Sequence, residues 1–121
     1  MKTQKELKAE YKTKKFKIGV FQIRNLVNDK IYVDGSVNLD SIWNRNRVEL
    51  NLGSHHNTAL QSDWKIMGED KFKYEILSEI DQKEGEEKDY SLEVKLLTEM
   101  FIDELSPFGD RGYHKMKNTL K

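Results

Sequence analysis

Two short β-rich runs stand five residues apart near the start of the chain, and that spacing constrains everything after it. Residues 18–24 (IGVFQIR) and 30–34 (KIYVD) are rich in β-branched and aromatic side chains, which suit a pleated, half-buried surface. Asn25 to Asp29 join them. Asn28 and Asp29 are turn formers, because their short polar side chains bond nearby backbone. Strands this close in sequence leave no room for a crossover and predict an antiparallel hairpin.

Helical signals follow. Asn38 caps a helix over about 39–52 that Gly53 ends, with Leu39, Ile42, Trp43 and Leu50 on one face. Asn57 caps a second helix carrying Leu60, Trp64 and Met67, with Gly68 as its stop. Trp43 and Trp64 read as core. Residues 71–77 alternate, which predicts a strand with Phe72, Tyr74 and Ile76 inward. Residues 81–89 are charged and contain Gly85, a loop pattern. A helix over about 90–105 follows, with Leu92, Leu96 and Met100 as its apolar stripe and Leu97 and Phe101 beside them. Pro107, the only proline, ends it. Gly109 and Gly112 mark a terminal turn. The order β-β-α-α-β-α predicts an α+β domain: a small antiparallel three-stranded sheet flanked by helices. Residues 3–15 contain good helix formers but only Leu7, Ala9 and Tyr11 to pack. The expectation is a basic N-terminal helix or arm over 1–17 and one domain over 18–121, a length that buries a single core without staples.

The net charge is zero, with 21 basic and 21 acidic residues, but the charge is unevenly placed. Residues 1–17 hold seven lysines against Glu6 and Glu10, and residues 79–104 hold ten acids against Lys83, Lys88 and Lys95. The first segment can meet phosphates and the second repels them, or both are solvated faces. With no cysteine, disulfides and thiolate metal sites are excluded. No run approaches the ~18 apolar residues of a membrane span, and no signal peptide is visible, so no membrane partner and a cytoplasmic location are expected.

Several local patterns then resemble one family. The first strand carries Gly19-Val20-Phe21, followed by Gln22-Ile23-Arg24-Asn25. The second carries Tyr32-Val33-Asp34, followed by Ser36-Val37-Asn38-Leu39. Next come Leu52-Gly53-Ser54-His55, Asn57, Leu60-Gln61 and Trp64, then Gly68 with Phe72 to Leu77, and the closing Pro107 to Tyr113. This ordered set, over about residues 18–113, is similar to the GIY-YIG nucleases, the cleavage module of certain homing endonucleases, restriction enzymes and an excision-repair subunit. The resemblance implies the α+β fold above and a site that cuts phosphodiesters.

In that family, tyrosines of the two triplets help activate water. An arginine on the first helix holds the phosphate, a histidine often assists, and a glutamate on the last helix binds one divalent metal. By this resemblance Tyr32 keeps the second tyrosine and Phe21 replaces the first. Ile42 falls at the arginine, with Arg45 one turn later. Asn46 falls at one histidine position, and His55 matches a histidine near the substrate face. Thr98 falls at the metal glutamate, with Glu99 adjacent, and Asp34 replaces the glycine of the second triplet. Tyr32, Arg45 and His55 are therefore the catalytic candidates, and Asp34 and Glu99 the metal candidates. Arg24, Arg45, Arg47, Lys14 and Lys15 are the nucleic-acid contacts. Tyr32 also reads as an ordinary strand tyrosine. His55 and His56, as neighbours, are expected to diverge and to make a poor zinc pair.

Three functions fit. One is a catalytically impaired nuclease fold that binds nucleic acid, DNA foremost, with no cofactor. Another is an active endonuclease with a rearranged site using Mg²⁺ or Mn²⁺. The last is an inhibitor or regulator that binds a protein partner through its acidic last helix. The oligomeric state is not legible from the sequence.

Overall fold

The computed structural model describes residues 16–82 and 88–115. Part of the acidic loop and nearly all of the basic N-terminal arm, including Lys14 and Lys15, lie outside the described residues. The elements are β1 (Gly19–Asn25), β2 (Ile31–Ser36), α1 (Leu39–Leu52), α2 (Thr58–Met67), β3 (Phe72–Glu79) and α3 (Ser91–Leu105). They form the three-stranded antiparallel sheet that the sequence predicts, in the order β2-β1-β3.

The hairpin closes as its turn residues dictate. Asn25 accepts Val27 N–H on its side chain and Asp29 N–H on its carbonyl, while Asn28 accepts Lys30 N–H. Asp29 takes a positive φ of 63°, which a short polar side chain tolerates. Both predicted caps are present. Asn38 accepts Ser41 N–H and Asn57 accepts Leu60 N–H, and α1 ends at Gly53 in the left-handed region.

Strand alternation divides the molecule into two layers. In the register, Ile23 faces Tyr32 and Phe21 faces Asp34, so these four share a face of the sheet. Against it pack Leu39 and Leu50 of α1 and Leu60 and Trp64 of α2. Val20 and Gly35 share the other face, and α3 crosses there. A Cβ on Gly35 would lie 2.3 Å from Thr98 Oγ1 and 2.4 Å from Val94 Cγ1. The glycine that lets β2 pass beneath α3 is therefore Gly35, one residue beyond the triplet position. Asp34 does not stand in for that glycine, and its side chain projects to the Tyr32 side.

Two expected apolar patterns differ. Ile76 is 39% exposed. It follows Tyr74 along the edge strand, and α1 covers that strand only as far as Tyr74, whose hydroxyl donates to Leu39 O and whose ring stacks on Trp43. On α3 the predicted stripe points outward: Leu92, Leu96 and Met100 are 66%, 52% and 64% exposed. The packed side is Val94 with half-buried Leu97, Thr98, Phe101, Ile102 and Leu105. Helical spacing fits both stripes, and the tight approach at Gly35 selects the one carrying the smaller Val94 and Thr98.

The closing turn is tied down by polar bonds. Tyr113 N–H donates to Ile31 O, and Val33 N–H donates to His114 Nε2. The Tyr113 hydroxyl donates to Asp63 and accepts from the buried Asn25. Among the described residues, no helix is long and apolar enough to cross a membrane.

Candidate nucleic-acid interface

The buried ring of Tyr32 is the centre of a histidine cluster. His114 stacks on it at 5.3 Å and 5°, and His55 meets it edge-on at 5.4 Å. His55 and His56, expected to diverge, are stacked instead, with centroids 4.5 Å apart. The reason lies at the α1–α2 junction. There His55 N–H binds Gln61, and its Nδ1 accepts Asn57 N–H, which turns the ring back under its neighbour.

Each histidine has a distinct state. With Nδ1 of His55 an acceptor, its proton sits on Nε2 and is donated to Asn46 Oδ1 at 2.6 Å. Both nitrogens are thus consumed inside the fold. Burial, then the neighbouring His56, lowers the His55 pKa. His114 accepts from the backbone through Nε2, and burial lowers its pKa as well. His56 is exposed, and its Nε2 lies 3.0 Å from the Tyr32 hydroxyl.

That hydroxyl is also 3.1 Å from Asp34 Oδ2. A carboxylate only accepts, so Tyr32 donates to Asp34 and His56 Nε2–H donates to the tyrosine oxygen. Burial raises the Tyr32 pKa above its ordinary value, and the charges of Asp34 and Glu49 push it further. The other oxygen of Asp34 accepts Gly35 N–H. An open cleft of about 630 Å³ lies over this group, lined by Lys30, Tyr32, Asp34, His56, His114 and Lys115 among others.

The structure thus brings Tyr32, Asp34 and His55 together and leaves others apart. Arg24 is tied to Glu75 at 2.8 Å, with Asp29 beside it, and Arg47 to Glu69 at 3.1 Å. Both are engaged within the fold. Arg45 is exposed, with no ion-pair partner among the described residues, one turn before Glu49 on α1. Glu99 lies on α3, the helix that covers the opposite face of the sheet. Sequence reasoning missed His56, His114, Glu49, Lys30 and Lys115. For the two histidines the signal was their type alone, since all three histidines of the chain meet here.

A divalent metal at the position implied by the resemblance does not fit the residues present. Hard cations take charged oxygens. Thr98 offers one neutral hydroxyl, already donated to Val94 O at 2.7 Å, and both oxygens of Asp34 are engaged. Among the described residues, no group of three or more His, Asp or Glu side chains is placed to hold a metal ion.

No protein-family model matches the chain. It is 34% identical over 64 residues to intron-associated endonuclease 1 of Enterobacteria phage T4. The match takes in 53% of this chain and spans about a quarter, 26%, of that relative. Two solved structures of the catalytic domain of intron endonuclease I-TevI are similar over most of this chain. A point mutant superposes with a TM-score of 0.69 at 26% identity, over 88% of this chain and 100% of that one. The second gives 0.66 at 27% identity, over 79% and 95%.

Proposed function

We propose that this chain, which carries the GIY-YIG nuclease fold, binds nucleic acid, DNA foremost, through the cleft around Tyr32 and cleaves it poorly. The observation that carries this reading is the state of the Tyr32 hydroxyl. A phenol takes a proton from water only as phenolate. This one donates to a carboxylate, and burial and charge hold its proton on. Phe21 supplies no ionisable atom and is fully buried, Ile42 no charge, and Thr98 no metal ligand. Loss of one charge-stabilising donor costs about 10²–10³ in rate and loss of an acid–base group about 10²–10⁴. These factors are not additive, because such residues act as a unit.

The binding surface survives these losses. Lys30, His56 and Lys115 line the cleft, Arg45 has no ion-pair partner among the described residues and is exposed to meet a phosphate, and Lys14 and Lys15 add positive charge. The similar proteins are named as endonucleases, which supports a nucleic-acid ligand. A second reading, an active metal-dependent endonuclease, is favoured by one observation: the chain His56–Tyr32–Asp34 gives the tyrosine proton a carboxylate to move to.

Gel shifts at rising salt, run beside supercoiled plasmid with Mg²⁺ or Mn²⁺, test both. Binding should weaken steeply with salt, and Lys30→Ala or Lys115→Ala should each reduce the logarithmic slope by about 0.9 if that lysine meets a phosphate. Plasmid should stay intact. Nicking by the wild type that disappears in Tyr32→Phe would establish the second reading. Failure to bind DNA at any salt would refute both and leave the protein-partner reading.

A further inference from the structure

We propose that His56 meets a nucleic-acid phosphate in the cleft as the imidazolium, so that binding takes up a proton on this ring. It rests on the cleft being the nucleic-acid site, and it names the residue through which that site responds to pH.

The histidines around Tyr32 differ in what a second ring proton costs. On His55, Nδ1 accepts Asn57 N–H and Nε2 donates to Asn46, so a proton on Nδ1 expels a backbone donor. On His114, Nε2 accepts Val33 N–H, and a proton there does the same. Burial further disfavours the charge on both. His56 is exposed, and among the described residues its one hydrogen bond runs from Nε2–H to the Tyr32 oxygen. Its Nδ1 is bare in the neutral ring. A proton added there breaks no bond in the fold and puts a charged donor on the cleft that His56 lines.

Groups of both signs surround the ring. Asp34 of β2 shares the Tyr32 hydroxyl with it, and Glu49 of α1 acts on Tyr32 and His55. Lys30 and Lys115 line the same cleft. The positive end of α2, which begins at Thr58, follows directly. His55 stacks on His56, and His114 stacks on Tyr32. A phosphate entering the cleft adds negative charge beside the one imidazole that can be charged at no cost to the fold, and by linkage it draws a proton onto that ring.

Anisotropy of a rhodamine-labelled DNA duplex, titrated with the full chain at about pH 6 and about pH 8.5 in the same salt, tests this. The wild type should bind about fivefold to tenfold more tightly at the lower pH, because an opposite charge at contact distance favours the charged form by about tenfold or more. His56→Gln, whose amide can still donate to Tyr32, should bind equally at both pH values, near the wild-type affinity at the higher one. Calorimetry at neutral pH in two buffers of unlike ionisation heat should show proton uptake by the wild type and none by His56→Gln. Equal wild-type affinity at both pH values would overturn the inference and leave the cleft as the binding site. A pH dependence that persists in His56→Gln would overturn it in favour of another group, His114 on the cleft wall first. Absence of DNA binding at either pH would refute the cleft as the site, and this inference with it.

Discussion

The Tyr32 hydroxyl donates to Asp34 Oδ2 at 3.1 Å, two residues along the same strand. The two side chains share a face because strand residues alternate, and the carboxylate therefore bears directly on the phenol's proton. Asp34→Asn should lower the Tyr32 pKa without restoring the ordinary value near 10, because burial is the larger cause. Tyrosinate absorbance, titrated in Asp34→Asn with and without Tyr32→Phe, reports it. An unchanged titration would show that the carboxylate does not govern the hydroxyl.

The same shift sets a pH limit on stability. The folded-state pKa of Tyr32 is raised, so its contribution is complete below the unfolded value of about 10 and is lost as pH rises through the folded value. Tyr74, pushed up to about 12 mainly by burial, acts in the same direction. Urea midpoints should decline above about pH 10, and the decline should be shallower in Tyr32→Phe.

His55 gives the opposite sign. Its folded-state pKa is lowered by burial and then by His56, so its contribution is present above about pH 6.5 and is lost as pH falls through the folded value. His55→Ala strands Asn46 Oδ1 and Asn57 N–H and should cost about 2–4 kcal/mol near neutral pH. It should also flatten the acid limb of the stability curve. Chemical denaturation at about pH 5 and about pH 7.5 separates the two effects.

Much of this arrangement was legible from the sequence. Asn38, Gly53, Asn57 and Gly68 act locally through caps and stops, and local chemistry is what a sequence displays. The pairing of β1 with β2 followed from a connection too short for a crossover, whereas the place of β3 beside β1 did not. The outward turn of Leu92, Leu96 and Met100 was not legible. Helical spacing fits two stripes on that segment, and the choice rests on the close approach of Gly35, a contact 59–63 residues away in sequence (94 − 35 and 98 − 35). The histidine cluster was hidden for the same reason: His55 and His56 lie far from His114 in sequence, and only the fold brings them to Tyr32. The resemblance pointed to Tyr32, Asp34 and His55, which do meet. It pointed equally to Arg24 and Arg47, whose carboxylate partners only the folded chain reveals.

Gly35 offers a direct check on the layering. Gly35→Ala should destabilise the fold by about 1–3 kcal/mol, the usual cost of overpacking. In a Thr98→Ala background the penalty should shrink but persist, because Val94 Cγ1 still lies 2.4 Å from the new methyl. A double-mutant cycle by thermal or urea unfolding measures the coupling, and full additivity would argue against the contact.

Calorimetric titration with Mg²⁺ should return no tight site, since the α3 position offers a hydroxyl and Asp34 is already engaged at both oxygens. A tight site abolished by Asp34→Ala would overturn that expectation and strengthen the case for an active enzyme.

The segment that brings His114 to Tyr32 also shields the sheet. β2 is an outer strand, and an outer strand with open backbone groups is a template for pairing with another molecule. Here Ile31 O is taken by Tyr113 N–H and Val33 N–H by His114, so that border has little left to offer a neighbour. The far border, β3, relies on charge instead, with Lys73, Glu75 and Glu79 along it. The last described residues thus do two jobs at once: they furnish a wall of the cleft and occupy backbone groups through which an outer strand could otherwise pair with a neighbour.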